Sequence, residues 1–331
     1  MKCFITGANG FIGFRLTERL SAEGHTVKCL VRSPERFREL AHLQGVASVV
    51  GDLDDITALE AGTAGSDTVF HMAALAKPWS KDKSLPFRVN VLGTENVLKA
   101  SQKSGVKRFV FTSSAAVIGP SPGEEPIDES FVRTVPFFND YEKTKHQAET
   151  LVREYSRGDL ETVIVNPTRV FGPGKLSESN SVTIMIDRYS RGKWHIKPGD
   201  GSCVGNYVFI DDVVSGHILA AMKGRAGESY LLGGANLTFN RFFALLAEAT
   251  GKRRVLIPFP VRLMIAGAAL LEWQVNVTGI PPMITVPWVK KYMNHWSLSS
   301  NKAVSELGYI ITPFTAGVEK TLQWLRSKQN E

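Results

Sequence analysis

The sequence predicts an α/β fold: a doubly wound parallel sheet with a smaller, mostly helical C-terminal region. Three observations carry that expectation. A glycine-rich turn, Gly7-Ala8-Asn9-Gly10-Phe11-Ile12-Gly13, stands between a short apolar run and an amphipathic stretch. Strand-type runs near 2–6, 26–31, 47–50, 67–72, 107–113 and 160–166 alternate with helical patterns near 11–23, 34–42, 55–62, 86–104 and 139–157. From about residue 167 the alternation fades, except that 206–222 reads as an apolar run followed by a helical pattern, which predicts a return to the sheet. A chain of 331 residues, 43% hydrophobic, is long enough to bury one large core or two modest ones.

The first strand ends in a pyrophosphate cradle. Gly7 permits a tight turn, Gly10 lets the backbone approach a diphosphate, and Gly13 lets the new helix pack on its strand. Asn9, Phe11 and Ile12 belong to the same cradle, where free N–H groups at the helix start face an anion. The second strand closes with Leu30-Val31-Arg32-Ser33-Pro34. In NAD-binding turns an acidic residue stands about 20 residues beyond the glycines and holds the ribose hydroxyls. Arg32 occupies that place, and a guanidinium there pairs with a 2′-phosphate. NADP(H) is therefore favoured, with NAD(H) as the second possibility and a merely solvated Arg32 as the alternative.

The fifth strand, within Arg108 to Val117, ends in the hydroxyls Thr112, Ser113 and Ser114, at the edge where an open sheet presents its ligand crevice. After the loop Ser121-Pro122-Gly123-Glu124-Glu125-Pro126 comes Tyr141-Glu142-Lys143-Thr144-Lys145. Tyr141 and Lys145 fall one helical turn apart, a spacing at which an ammonium lowers a phenol pKa toward the working pH.

Several further segments occur in a matching order: Gly51-Asp52-Leu53, His71-Met72-Ala73-Ala74, Asn90-Val91-Leu92-Gly93-Thr94, Asn166-Pro167-Thr168-Arg169-Val170-Phe171-Gly172-Pro173 and Val208-Phe209-Ile210-Asp211-Asp212. With them the chain resembles the extended short-chain dehydrogenase/reductase (NAD-dependent epimerase/dehydratase) family over nearly its whole length. The resemblance implies a Rossmann fold over 1–166, with 205–223 returning to it, and a mainly substrate-binding region over 167–331. It makes Ser114, Tyr141 and Lys145 the catalytic group. Asp52, Leu53, Ala73, Ala74, Asn90, Pro167 and Val170 surround the dinucleotide alongside the glycine turn. Asn90 either orients backbone or water for a proton relay or serves the structure of its helix. No metal is implied. The helices near 86–104 and 139–157 pair across a two-fold axis in this family, implying a homodimer.

The resemblance is strongest to the branch of dihydroflavonol 4-reductase and 3β-hydroxysteroid dehydrogenase, through Val31-Arg32-Ser33-Pro34, Phe111-Thr112-Ser113-Ser114-Ala115 and Asn166-Pro167-Thr168. It implies a bulky, largely apolar ketone or alcohol as substrate. Two alternatives stay open. A nucleotide-sugar epimerase or dehydratase uses the same site, but such members usually carry asparagine where Arg169 stands and a diphosphate-clamping segment where this chain reads Lys290-Lys291-Tyr292-Met293-Asn294. Lys290 or Lys291 is a possible substitute clamp. A noncatalytic dinucleotide sensor has no need of the intact Tyr141 and Lys145.

The net charge of +7 is dispersed over helix faces and turns, so a nucleic-acid groove is not expected. Cys3, Cys29 and Cys203 form no disulfide or zinc pattern. Only Cys3, Phe4, Ile5 and Thr6 separate Lys2 from the glycine turn, which predicts no secretory signal and a cytoplasmic location. His71 ends an apolar strand and reads as packing rather than proton transfer. The longest apolar run, Leu263 to Leu271, is too short to span a bilayer. Residues 259–296 are nonetheless unusually apolar, with Trp273, Ile280, Met283, Ile284, Val286 and Trp288. They read either as a helical lid over the active site or as a membrane-surface helix edged by Arg262, Lys290 and Lys291.

Overall fold

In a computed structural model of the chain, which describes residues 1–76, 79–176, 180–282 and 284–330, the six expected strands all form. They are β1 (Lys2–Thr6), β2 (Thr26–Val31), β3 (Val46–Val50), β4 (Thr68–His71), β5 (Arg108–Thr112) and β6 (Glu161–Pro167). Beyond them lie β7 (Arg169–Phe171), β8 (Ile196–Pro198), β9 (Val204–Phe209), β10 (Ser229–Leu232), β11 (Ala235–Thr238) and β12 (Ile257–Phe259). The main sheet has seven strands in the order β10-β6-β5-β4-β1-β2-β3, and every pairing in it is parallel. β1 lies between β2 and β4, with Ile5 opposite both Cys29 and Phe70. Both faces are covered, which is why the strands read as apolar runs rather than as alternating patterns.

The first six helices are α1 (Phe11–Ala22), α2 (Pro34–Phe37), α3 (Ile56–Thr63), α4 (Leu85–Phe87), α5 (Gly93–Lys103) and α6 (Asp140–Tyr155). They are followed by α7 (Ser181–Ser190), α8 (Ile210–Lys223), α9 (Phe239–Thr250), α10 (Val261–Thr278), α11 (Val286–Tyr292) and α12 (Phe314–Asn330). One face of the sheet is covered by α1 and α8, through Leu16, Leu20, Val213, Val214 and Ile218. The other is covered by α3, α5 and α6, through Leu59, Val97, Leu98, Ala148 and Val152. A separate aromatic core joins Phe171, Tyr207, Phe209, Phe242 and Phe314 below α7, α9 and α12.

Three expectations need correction. The helix expected over 86–104 is interrupted: Arg88–Leu92 widens into a π-helical segment between α4 and α5. That widened turn carries Asn90, and such insertions are frequent at functional sites. The helix expected over 34–42 stops at Phe37. The return of 205–223 is divided. β9 joins a second, three-stranded sheet, parallel to β7 and antiparallel to β11, whereas α8 packs on the main sheet at β5, β6 and β10. The seventh strand of the main sheet is β10, only four residues long. Gly233 and Gly234 then carry the chain from one sheet to the other, and a Cβ on Gly234 would come within 2.1 Å of the Tyr207 carbonyl oxygen.

β8 and β12 form a short two-stranded sheet leading into α10, and α10 packs on α11. Met283, one of the apolar residues of this region, lies outside the described residues. Among the described residues no helix is long and apolar enough to cross a membrane.

Candidate active site

The glycine turn has the close contacts its sequence requires. Gly7 adopts φ +76°, and a Cβ there would lie 2.7 Å from the Ala73 nitrogen. A Cβ on Gly13 would lie 2.2 Å from the Gly7 carbonyl oxygen, so α1 can start this near to β1 only without a side chain. Gly10 donates its N–H to the Gly7 carbonyl at 2.9 Å and caps α1 with no side chain in the way. Phe11 is buried, Ile12 is half-buried, and the Asn9 amide donates to the Arg36 carbonyl, fastening the turn to α2. Arg32 follows the end of β2, exposed and with no hydrogen-bond or ion-pair partner among the described residues. Asp52 is exposed beyond β3, with one carboxylate oxygen accepting from the Asp54 N–H at 2.9 Å. Leu53 packs against the bare Gly93. The bare turn and these groups around it fit a dinucleotide.

A buried polar string runs from this turn to α6. The Ala73 N–H donates to Thr6 Oγ1 at 3.3 Å, and Thr6 Oγ1 lies 2.6 Å from His71 Nδ1. His71 Nε2 lies 2.9 Å from Thr94 Oγ1, which donates to the Asn90 carbonyl at 2.7 Å. The Asn90 side chain accepts from the Leu75 N–H at 2.7 Å and donates to Thr144 Oγ1 at 3.0 Å. Asn90 thus clamps the segment after β4 to α6. Burial, reinforced by the nearby Lys145 charge, pushes His71 down to about 3, so it stays neutral.

Ser114 leaves β5 in an extended conformation and caps the short turn Ala115–Val117, its Oγ accepting from the Ala116 N–H at 3.2 Å. Its carbonyl receives the Asn166 amide at 3.2 Å, and the same amide donates to Glu149 at 2.7 Å. Opposite stand Tyr141 and Lys145 on α6, a helix whose first turn is capped by Asn139 accepting from the Glu142 N–H at 3.0 Å. Burial pushes the Tyr141 phenol up to about 12, and hydrogen bonding with Ser114 opposes that rise. Lys145 is buried with its Nζ 4.0 Å from the centroid of the Phe111 ring. Burial brings it down to about 7, against the pull of Glu149 one turn on. The expected lowering of the phenol by Lys145 is therefore not set up by the protein alone. Lys145 rests on Phe111, and Ser114 is the neighbour that eases the phenol.

Between α6 and the C-terminal region lies a charged junction that the sequence reading missed. Glu142 is fully buried, 2.9 Å from Arg133 and 3.0 Å from Lys291 of α11. Arg133 also donates to the Ala116 carbonyl at 2.6 Å, within the turn that carries Ser114. Of the two lysines expected as substitute anion clamps, Lys291 is thus already paired, whereas Lys290 is exposed with no carboxylate partner among the described residues. Arg169 is also engaged within the fold, its guanidinium 4.6 Å from the Tyr292 ring centroid, 5.5 Å from that of Tyr207 and 5.8 Å from that of Phe239. Pro167 and Val170 continue from the end of β6 into β7. Close by, Ser113 Oγ, Asn166 Oδ1 and Thr168 Oγ1 are buried without hydrogen-bond partners in the protein. Polar atoms of this kind, at the carboxyl ends of β5 and β6, fit a bound polar ligand.

Residues 3–233 match the NAD dependent epimerase/dehydratase family. The chain belongs to that family. Its relatives include a Synechocystis protein named after dihydroflavonol 4-reductase, 31% identical over 98% of this chain and 94% of its own. A 4-hydroxy-2-methyl-3-oxo-4-farnesyl-3,4-dihydroquinoline-1-oxide ketoreductase of Stigmatella aurantiaca is 32% identical over 93% of this chain and 92% of its own. A 3beta-hydroxysteroid-dehydrogenase/decarboxylase of Arabidopsis thaliana is 30% identical over 97% of this chain and 78% of its own. Among solved structures, the NAD complex of Thermus thermophilus UDP-glucose 4-epimerase superposes with a TM-score of 0.78 at 26% identity, covering 98% of this chain and 99% of that one. These likenesses bear out the branch suggested by the motifs and make this family member an NAD(P)-dependent oxidoreductase.

The buried ammonium gives a test of the site without its ligands. Solvated lysine keeps its proton to about 10.5, whereas Lys145 in the fold gives it up near 7, so between these values the unfolded chain binds more protons and stability rises with pH. Lys145→Met removes this contribution. Urea unfolding without dinucleotide should show the variant more stable than the parent at about pH 6, with the gap narrowing toward about pH 9. A gap that widens with pH would refute the buried-ammonium account.

Proposed function

We propose that the protein interconverts a ketone and a secondary alcohol on a bulky, largely apolar substrate, using NADP(H), with Tyr141 as the acid/base. The nicotinamide, when bound, supplies or accepts the hydride. Negative charge then grows on the carbonyl oxygen and must meet donors already in place. Tyr141 gives its proton to that oxygen; its raised pKa keeps the proton available at neutral pH. Ser114 hydrogen-bonds the same oxygen, and Lys145 holds the nicotinamide ribose. Gly7, Gly10 and Gly13 present the backbone to the pyrophosphate, and Arg32 pairs with the 2′-phosphate. The division into a dinucleotide-binding part over 1–166 and a mainly substrate-binding part over 167–331 belongs to the same reading, as does a cytoplasmic site of action.

The observation that carries the choice of substrate is the fate of the cations around the site. A nucleotide sugar brings a diphosphate that needs positive charge held at the site, and here Lys291 is paired with Glu142 and Arg169 lies among three aromatic rings, which leaves Lys290, exposed on α11, as the one lysine of the expected clamp without a carboxylate partner among the described residues. The alternative, a nucleotide-sugar epimerase or dehydratase acting through the same three side chains, is favoured by the likeness to the Thermus enzyme. A screen of NADPH oxidation against apolar ketones and, in parallel, nucleotide sugars separates the two. Turnover of nucleotide sugars alone would reverse the choice.

Tyr141→Phe should lower kcat by about 10²–10⁴ while changing cofactor affinity by less than roughly tenfold, as measured by steady-state kinetics and dinucleotide titration. Near-full turnover in the purified variant would sink the mechanism. Arg32→Ala should weaken NADPH binding by about 1–3 kcal/mol and leave NADH nearly unchanged, so equal losses for both would remove the 2′-phosphate role. If α5 and α6 pair across a two-fold axis, light scattering at micromolar concentration should give twice the chain mass of 36.4 kDa, and the monomer mass alone would rule out a stable dimer.

A further inference from the structure

We propose that the exposed apolar face of α10, with Val255, Ile257 and Ile280 at its ends, seats the protein on an anionic lipid bilayer, with α10 lying in the plane of the headgroups. α10 is apolar on nearly all sides, and a helix of that kind is ordinarily covered on all sides. Here it packs on α11, and its other face is open. Leu263, Leu270 and Trp273 fall on that face at helical spacing, and Val255, Ile257 and Ile280 extend it at either end. Each of these six side chains keeps between 58% and 86% of its surface exposed, an unusual number of large exposed apolar side chains for one short stretch of chain.

Charge decides what covers it. Between Gly251 and Trp296 the sequence holds six lysines and arginines and a single acid, Glu272. That carboxylate is half-buried and accepts from the Val286 N–H at 2.9 Å. Lys252, Arg253, Arg262 and Lys290 are exposed at the margins of the patch, and none has a carboxylate partner among the described residues. A second copy of the chain pairing face to face would set like charges against one another, which an isologous interface disfavours. An anionic headgroup layer neutralises the margin while its acyl boundary takes up the leucines and the tryptophan, the arrangement of a helix lying in the interface. The two readings of this region also come together. α11 reaches the active site, through Lys291 on Glu142 and Tyr292 on Arg169, while α10 packs on α11 and makes no hydrogen bond or ion pair with the catalytic side chains among the described residues.

Co-sedimentation of the full chain with vesicles of phosphatidylcholine alone and of phosphatidylcholine mixed with phosphatidylserine tests the proposal. Binding is expected to the mixed vesicles and to weaken with added salt. Lys252→Gln with Arg262→Gln should reduce it at least about tenfold. Leu270→Glu with Trp273→Glu should abolish it. Both double variants alter exposed positions outside the active site and should keep the parent's turnover of a water-soluble ketone. No sedimentation with either vesicle, equal binding to both, or binding undiminished in Leu270→Glu/Trp273→Glu overturns the proposal. Light scattering in which Trp273→Glu dissociates a parent oligomer, with no vesicle binding, would assign the patch to a second copy instead.

Discussion

A single carboxylate holds the parts of the active site in relation to one another. Glu142 has no solvent contact, and a buried charge is tolerated only when it is paired and hydrogen-bonded. Arg133 and Lys291 supply the opposite charge, and the Phe138 N–H donates to it at 3.1 Å. Each partner belongs to a different piece of the molecule. Arg133 lies in the loop before α6 and also binds the carbonyl of Ala116, two residues beyond Ser114; Lys291 lies in α11. Glu142 and Tyr141 share the first turn of α6, so fixing the carboxylate fixes that turn against the Ala115–Val117 segment that follows Ser114. The C-terminal helices are anchored by the same contact, so the substrate side of the crevice is built on the residue next to the proton donor.

The second tie runs through uncharged groups. Thr6, His71, Thr94, Asn90 and Thr144 join the strand before the glycine turn to the helix that carries Tyr141 and Lys145. With His71 neutral, no member of this string carries a charge, so the two halves of the site are connected without adding to the burial cost of Lys145. The π-helical turn at Arg88–Leu92 makes the connection possible by redirecting Asn90 toward Leu75 and Thr144. Its side chain thereby bonds the Leu75 backbone on one side and Thr144 of α6 on the other.

What the sequence could reveal follows from the range of each interaction. β1, the glycine turn and α1 were legible because steric need dictates their residues locally: Gly7 must take a positive φ, and Gly13 must lack a Cβ. Lys145 and Tyr141 were legible by helical spacing, but the state of their protons was not, since it depends on burial and on Phe111 and Ser114, which arrive from β5. Glu142, Arg133 and Lys291 escaped for a similar reason: their meeting brings together residues up to 158 positions apart, and each alone looks like a solvated charge. β10 escaped because four residues give too little period to identify, and β9 looked like a strand of the main sheet because complete burial leaves no alternation to show which sheet it joins.

The division of 205–223 between two sheets has a consequence for how the protein emerges from the ribosome. The edge of β6 is left open until β10 pairs with it, and the sheet face covered by α1 also waits for α8. Some 60 residues separate the end of β7 from the end of β10, a delay of about 3–12 s at ordinary elongation speeds. For that interval the nascent chain carries a nearly complete parallel sheet with one apolar flank bare and a free strand edge. That is the form of an unfinished fold which holding chaperones recognise, and the growing chain relieves its exposure only when the Gly233-Gly234 corner has been made.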